Sequence, residues 1–321
     1  MLRRQFLKGS SAAAALVVAG PGLIGSARAE TFINVLTGGT SGVYYPLGVA
    51  MANLFNENIE GANAQAQSTK ASVENLNLLQ QGKGELALTL GDAASLAWAG
   101  NEEAGYPAKL DKLRHAAGAY SNYIQIVASA DSGIQSLADM KGKRVSVGAP
   151  KSGTELNARA VFAAAGLSYD DFEKVEYLPF GESVDLMKNR QLDATLQSAG
   201  LGVGSIKDLA TSIPITVVPI PADVVAAVGD AAYQPNVIPA GTYEGQSADV
   251  ETASIRNLLL THSEVPEDLV YQMVKVIFEN LDTLVATHSA AAGIVLDASA
   301  AESPIPLHPG AERFYKEQGL L

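Results

Sequence analysis

Short β-rich runs alternate with helical periods twice along this 321-residue chain, and that alternation constrains the fold more than any other feature. The first series reads strand 32–36, helix 43–56, strand 62–68, helix 72–81, strand 85–90 and an alanine-rich helix from Asp92. Within 43–56, Val43, Leu47, Ala50, Met51, Leu54 and Phe55 fall near one face, the spacing of a helix packed on one side. Val73, Leu76, Leu79 and Gln80 repeat that spacing in 72–81. A β-α-β-α-β order implies parallel strands joined by right-handed crossovers. A longer strand, 119–130, then leads to a second series: strand 144–148, helix 154–165, strand 173–178, helix 182–190, strand 192–197, helix 203–211 and strand 215–219. The tail carries one long amphipathic helix from Pro266, with Leu269, Val270, Met273, Val274, Ile277, Phe278, Leu281 and Leu284 on its apolar side. Pro266 suits a first helical turn. With no tandem repeat or low-complexity linker between the series, the chain is expected to form two α/β lobes joined by ordered crossings.

The N-terminus carries a separate signal. A basic start (Arg3, Arg4, Lys8) precedes an apolar stretch from Ala12 to Ile24 and then Ala27-Arg28-Ala29, a cleavage pattern that places the cut before Glu30. The apolar run is short and rich in alanine and glycine for a membrane span. Arg3-Arg4-Gln5-Phe6-Leu7-Lys8 resembles the twin-arginine export signature, with the general secretory route as the alternative. The expected destination is the periplasm, without stable membrane insertion once the signal, 1–29, is removed.

Composition sharpens this. The full chain has 22 basic and 34 acidic residues, a net charge of −12. Loss of Arg3, Arg4, Lys8 and Arg28 with the signal leaves 18 basic against 34 acidic, a net charge of −16. Such a body does not attract nucleic acid or an anionic membrane by bulk charge. With 47% apolar and 17% charged residues it is no disordered chain either. The absence of cysteine excludes a disulfide framework, a thiolate nucleophile and cysteine-based metal sites. His115, His262, His288 and His308 are scattered, which favours surface or capping roles over metal ligation, and no G-x-S-x-G elbow or G-x-G-x-x-G fingerprint occurs. No catalytic residue, metal or cofactor is expected.

Ligands in such sheets bind beyond the carboxyl ends of the strands, which directs attention to loops 37–44, 68–72, 91–95, 148–154 and 197–204. Thr37-Gly38-Gly39-Thr40-Ser41-Gly42-Val43-Tyr44-Tyr45-Pro46 combines close backbone approach with hydroxyls and free N–H groups at a helix start, a site for a small anion; a tight turn with a hydroxyl cap is the structural alternative. Gly148-Ala149-Pro150-Lys151-Ser152-Gly153-Thr154-Glu155 offers a second such helix start, with Ser152 and Glu155 in a capping-box pattern. Its glycine spacing imitates a P-loop, but Thr154-Glu155 stands where a polyphosphate needs Lys-Ser/Thr.

These two motifs, together with Ser72-Val73-Glu74-Asn75-Leu76, Gln191-Leu192-Asp193-Ala194 and the segment from Pro306 through His308, Pro309, Gly310, Phe314 and Tyr315 to Gly319, resemble in order the TAXI family, the extracytoplasmic solute-binding subunits of TRAP transporters. The resemblance implies a type II periplasmic-binding-protein fold: two lobes, each with a mixed sheet flanked by helices, around a central cleft. It places lobe one at 31–122 plus 232–321 and lobe two at 123–231. It further implies a monomer that captures a small organic anion or amino acid, glutamate or glutamine among the class, and delivers it to ion-gradient-driven TRAP membrane subunits. A sensory binding protein facing a receptor kinase is the alternative, and an exported enzyme a more distant one. The expected ligand contacts are Gly39, Thr40, Ser41, Tyr44, Thr69, Tyr120, Ser152, Gly153, Thr154 and Gln197. Thr69-Lys70-Ala71-Ser72 departs from the Gly-Gly often found before that serine in the family, and Lys70 either provides a cation for a second carboxylate or points into solvent.

Overall fold

The computed structural model describes residues 30–300 and 303–321; the expected signal segment lies outside the described residues. The elements run β1 (Thr31–Leu36), α1 (Tyr44–Asn58), β2 (Ala62–Gln67), α2 (Ser72–Gln80), β3 (Leu86–Leu90), α3 (Gly91–Ala99), β4 (Leu113–Ser129), β5 (Arg144–Ser146), α4 (Gly153–Ala164), β6 (Lys174–Glu176), α5 (Phe180–Lys188), β7 (Ala194–Ala199), α6 (Gly204–Ser212), β8 (Ile215–Val218), α7 (Ala222–Ala227), β9 (Gln234–Ile238), β10 (Val250–His262), α8 (Glu267–Glu279), α9 (Leu281–Thr287), α10 (Leu296–Ser299) and α11 (Pro309–Glu317).

Both α/β series form, and β1 pairs in parallel with β2 and β3, as β5 does with β6 and β7. The two sheets are continuous. The strand order is β2-β1-β3-β10-β4-β7-β5-β6, because the long strands β4 and β10 run through both groups. The first part of β4 pairs with β10, while Tyr123–Ala128 pairs with β7 and Ile126–Ser129 with β8. β10 begins against β9 at Val250–Ser254 and ends against β3 at Asn257–Leu260. Its pairing with β4 shifts register twice, between Arg256 and Leu258 and between Leu259 and Leu260, in the stretch where the chain passes from one group of strands to the other.

The central strands β3, β7 and most of β10 are buried on both faces, whereas β2 and β9 remain largely exposed. In β1, Ile33 and Val35 join one core layer and Leu36 the other, as alternation along a strand requires. The helix expected from Pro266 is two helices. Asn280 closes α8 with φ −128° and begins α9, so Leu281 and Leu284 lie beyond the break. Among the described residues, no helix is long and apolar enough to cross a membrane.

Candidate functional site

The carboxyl ends of β1, β3, β5 and β7 and the starts of α1, α2, α4 and α5 converge on one cleft of about 400 Å³. Its walls comprise 38–44, 68–72, Leu90, Tyr120, Asn122, Ala149, 152–154, 179–182, Ser198 and Ala199. Nine of the ten residues predicted as contacts line it: Gly39, Thr40, Ser41, Tyr44, Thr69, Tyr120, Ser152, Gly153 and Thr154.

The first wall is held by a buried polar knot. Asn75, at the start of α2, donates through Nδ2 to the carbonyls of Thr37 (2.7 Å) and Leu88 (2.8 Å), tying the ends of β1 and β3 together. Thr69 Oγ1 lies 2.6 Å from Asn75 Oδ1 and accepts from the Ala71 N–H at 3.0 Å, so its hydroxyl shapes the loop. Gly42 N–H closes a turn onto Gly39 O at 3.1 Å, leading into α1. There Tyr44 is buried, and its hydroxyl donates to Asn257 Oδ1 at 2.5 Å. Burial pushes the Tyr44 phenol far above its usual range, so it stays neutral. Its ring meets Tyr120 edge to face, centroids 6.5 Å apart. The expected role of Tyr44 thus narrows to apolar contact through its ring, since its polar end is committed.

The opposite wall is the start of α4. Ser152 caps it, Oγ accepting from Glu155 N–H at 3.1 Å. Only this half of the predicted capping box forms. Ser152 N–H goes to Ala149 O, and the Glu155 carboxylate turns away to Arg159 (2.7 Å) and Tyr169 (3.2 Å). The Gly153 and Thr154 amides, first and second in the helix, have no intrahelical acceptor by position and carry the positive end of the helix dipole. With Glu155 paired, its charge does not oppose an anion there.

The two walls touch. Glu74 N–H donates to Lys151 O at 3.2 Å, and Arg159 Nη1 to Glu103 O at 3.0 Å. A β-carbon on Gly153 would lie 2.6 Å from Leu90 Cδ1 and 2.7 Å from Ser72 Oγ, so only glycine permits this approach. Deeper in, Asp92 of α3 is bound by Asn157 of α4 and by Tyr233. The charged residues lining the cleft are Lys70 and Glu182, both exposed.

The profile of one protein family, the NMT1-like family, matches residues 35–319. The chain belongs to the NMT1-like family. Solved structures share the architecture of this NMT1-like protein at low sequence identity. PhnD1 from Prochlorococcus marinus, in complex with methylphosphonate, matches with a TM-score of 0.59 at 9% identity, over 91% of this chain and 99% of that one. A structure from Bordetella bronchiseptica RB50 gives 0.56 at 14% identity, covering 90% and 98%. A binding-protein component of an ABC phosphonate transporter from Pseudomonas aeruginosa gives 0.54 at 12%, covering 83% and 80%. The likeness is one of fold, the two-lobed α/β architecture with a central cleft.

Gln197 is the predicted contact that this NMT1-like protein places elsewhere. Gln197 and Ser198 are consecutive on β7, so their side chains take opposite faces. Ser198 lines the cleft, whereas Gln197 is fully buried, with Oε1 accepting from Ser205 Oγ at 2.6 Å. The segment 179–182 was missed, although it follows β6 and obeys the same strand-end rule as the other loops. Of the histidines, His288 and His308 cap helices, accepting from Ala290 N–H and Gly310 N–H. His262 accepts from Glu264 N–H. His115 is neither surface nor cap: it is buried, Nε2 lies 3.0 Å from Ser299 O, and burial lowers its pKa to about 4. No group of three potential metal-ligating side chains occurs among the described residues.

Proposed function

We propose that this protein is an extracytoplasmic solute-binding protein, exported to the periplasm, which captures a small carboxylate or amino acid of the glutamate or glutamine class by closing its two halves. The observation that carries the reading is the cleft itself, walled by helix starts from both strand groups and, among the described residues, lined by only two charged side chains, Lys70 and Glu182. The lobes we assign are 31–122 plus 232–321 and 123–231. The register of β10 favours drawing the second crossing later, near Ser254–Asn257, where pairing passes from β9 to β3.

The solute's carboxylate lies on the Gly153 and Thr154 amides, the first two of α4, rather than on Thr40 and Ser41, which precede the start of α1 at Tyr44; the rings of Tyr44 and Tyr120 lie against its carbon chain. Oriented amides suit an anion on an otherwise acidic body because their field is local, whereas net charge acts at long range and is screened within about 8–10 Å. A solute touching both walls favours the closed form only by its difference in affinity for the two forms. A shift from mostly open to mostly closed takes roughly 10²–10⁴-fold preference.

The partner we assign is the membrane part of a TRAP transporter, on the strength of the ordered motifs from Thr37 to Gly319. An ABC permease is the rival, favoured by the Pseudomonas aeruginosa neighbour's description as part of an ABC phosphonate transporter. The genes beside this one separate the two, and a histidine kinase there favours a sensor. The reading assigns no catalytic step and no cofactor. Its test is a thermal-shift screen of protein stripped of bound ligand by unfolding and refolding, over amino acids, dicarboxylates, 2-oxo acids, phosphonates and short aliphatic acids. Stabilisation by small carboxylates supports the reading. Stabilisation by phosphonates alone replaces its solute class, and a flat response to all of them rejects it.

A further inference from the structure

Asp92 is nearly inaccessible, 1% exposed at the start of α3, and its carboxylate has three donors: Ala93 N–H at 2.7 Å, Asn157 Nδ2 at 2.7 Å and Tyr233 Oη at 2.9 Å. Asn157 Nδ2 also donates to Tyr233 Oη at 2.8 Å, closing a three-residue ring. The ring spans the molecule's two strand groups. Asp92 follows β3, Asn157 lies on α4 one turn beyond the Gly153–Thr154 amides, and Tyr233 immediately precedes β9.

Among the described residues, no cation pairs with this carboxylate. The titratable groups around it are Tyr44 of α1, Tyr106 after α3, and Tyr233 with Asp230 before β9. All are neutral or negative, and Asp230 opposes the charge. Arg159, the cation nearest in sequence on α4, is committed to Glu155 and to Glu103 O. A buried carboxylate without a counter-charge favours its protonated form. Burial accordingly raises Asp92 to about 6, against the lowering effect of Tyr233, Ala93 and Asn157.

We propose that Asp92 couples closure of the cleft to uptake of one proton, acting as a positioning residue that fixes the amide end of α4 against the solute. The inference rests on the solute-binding reading above and names a regulation of that same site. Separation of α4 from α3 removes Asn157 and admits water to Asp92, which there ionises as an ordinary carboxylate. Closure buries the group, and between about pH 4 and 6 it takes a proton from solvent. The direction follows from linkage: the form with the higher pKa is favoured as pH falls. Acidification therefore tightens binding, by about tenfold from pH 7 to pH 5, and the gain levels off near 100-fold once both forms are protonated.

The test is small-angle scattering of ligand-stripped protein from pH 4.5 to 8, with ¹³C-carboxyl NMR identifying Asp92 by difference against Asp92→Asn. In the wild type, the radius of gyration is expected to fall on acidification with a midpoint near the Asp92 titration. Asp92→Asn is expected to show no such step, and Tyr233→Phe, which removes one donor to the carboxylate, to move the midpoint to higher pH. Wild-type scattering that is independent of pH, or an Asp92→Asn profile that keeps the wild-type step, overturns the inference. Glutamate and the strongest stabiliser from the thermal screen are added at pH 5 and 7 as a separate arm. If an acid compacts the wild type and Asp92→Asn equally at both pH values, the proton link alone falls; if no acid compacts either, the solute-binding reading falls with it.

Discussion

The Glu74 backbone N–H donates to the Lys151 carbonyl at 3.2 Å, joining the first turn of α2 to the turn that precedes α4. Each joined segment contains a non-glycine residue at positive φ, Ala71 at 75° and Lys151 at 62°. Backbone of this kind persists only where surrounding contacts over-determine it, and it concentrates at ligand clamps. Here both strained turns border the same cleft.

Ala71 carries the greater strain, because φ 75° with ψ −146° is a region that suits glycine almost alone. The Thr69 hydroxyl and the Asn75 N–H hold it there, at 3.0 and 2.9 Å. Ala71→Gly is expected to stabilise the protein by about 1–2 kcal/mol. For a chain of this size each kcal/mol corresponds to roughly 2–4 °C in Tm. Scanning calorimetry checks this, and a lower Tm contradicts the strain argument.

Gly153→Ala separates folding from closure. The added methyl meets Leu90 Cδ1 at 2.6 Å and Ser72 at 2.7–3.0 Å, contacts made only when the walls are together. The variant is expected to keep the Tm of the ligand-free protein within a few degrees and to bind the solute at least tenfold more weakly. Titration calorimetry of both proteins measures the difference, and wild-type affinity would show that the walls do not meet here on binding.

Arg144 and Asp193 govern an opposite limb of the pH response. Arg144 donates to Asp193 through Nε at 3.0 Å and Nη2 at 2.6 Å, and Arg144 holds the Asp193 carboxyl below its usual range. A depressed folded-state pKa gives stability that is present above the unfolded value, near 3.9, and is lost as pH falls through the folded one. The pair is partly exposed, so its contribution is about 1 kcal/mol. Arg144→Met is expected to lower stability by that amount in urea unfolding at pH 7. Near pH 2–3 the difference from wild type narrows, and an equal deficit at both pH values contradicts the ionic account.

The α/β alternation and most of the cleft are legible in the sequence, because loops at strand ends announce themselves through glycine, hydroxyls and helix-capping patterns. The loops after β1, β2 and β5 all line the cleft as expected. β10 leaves no such signature. It is buried along most of its length, so it lacks polar–apolar alternation, and Ser254, Arg256 and Asn257 interrupt its apolar run. Yet Asn257 anchors the Tyr44 hydroxyl, and β10 joins the two strand groups. Gln197 failed for a different reason: facing is decided by strand parity, which is known only once the register of β7 is fixed. The Asp92–Asn157–Tyr233 ring was equally hidden, since its members stand 65 and 76 residues apart and none belongs to a local motif.

The central claim is that the amide end of α4 holds the solute's negative charge. Thr154→Pro tests it, because proline is tolerated in the first helical turn and removes one N–H while leaving the Ser152 cap in place. A hydrogen bond to a charged group is worth roughly 1.5–3 kcal/mol, so affinity for the tightest-binding acid is expected to fall by about tenfold or more in titration calorimetry. Unchanged affinity in a folded Thr154→Pro protein would contradict the account.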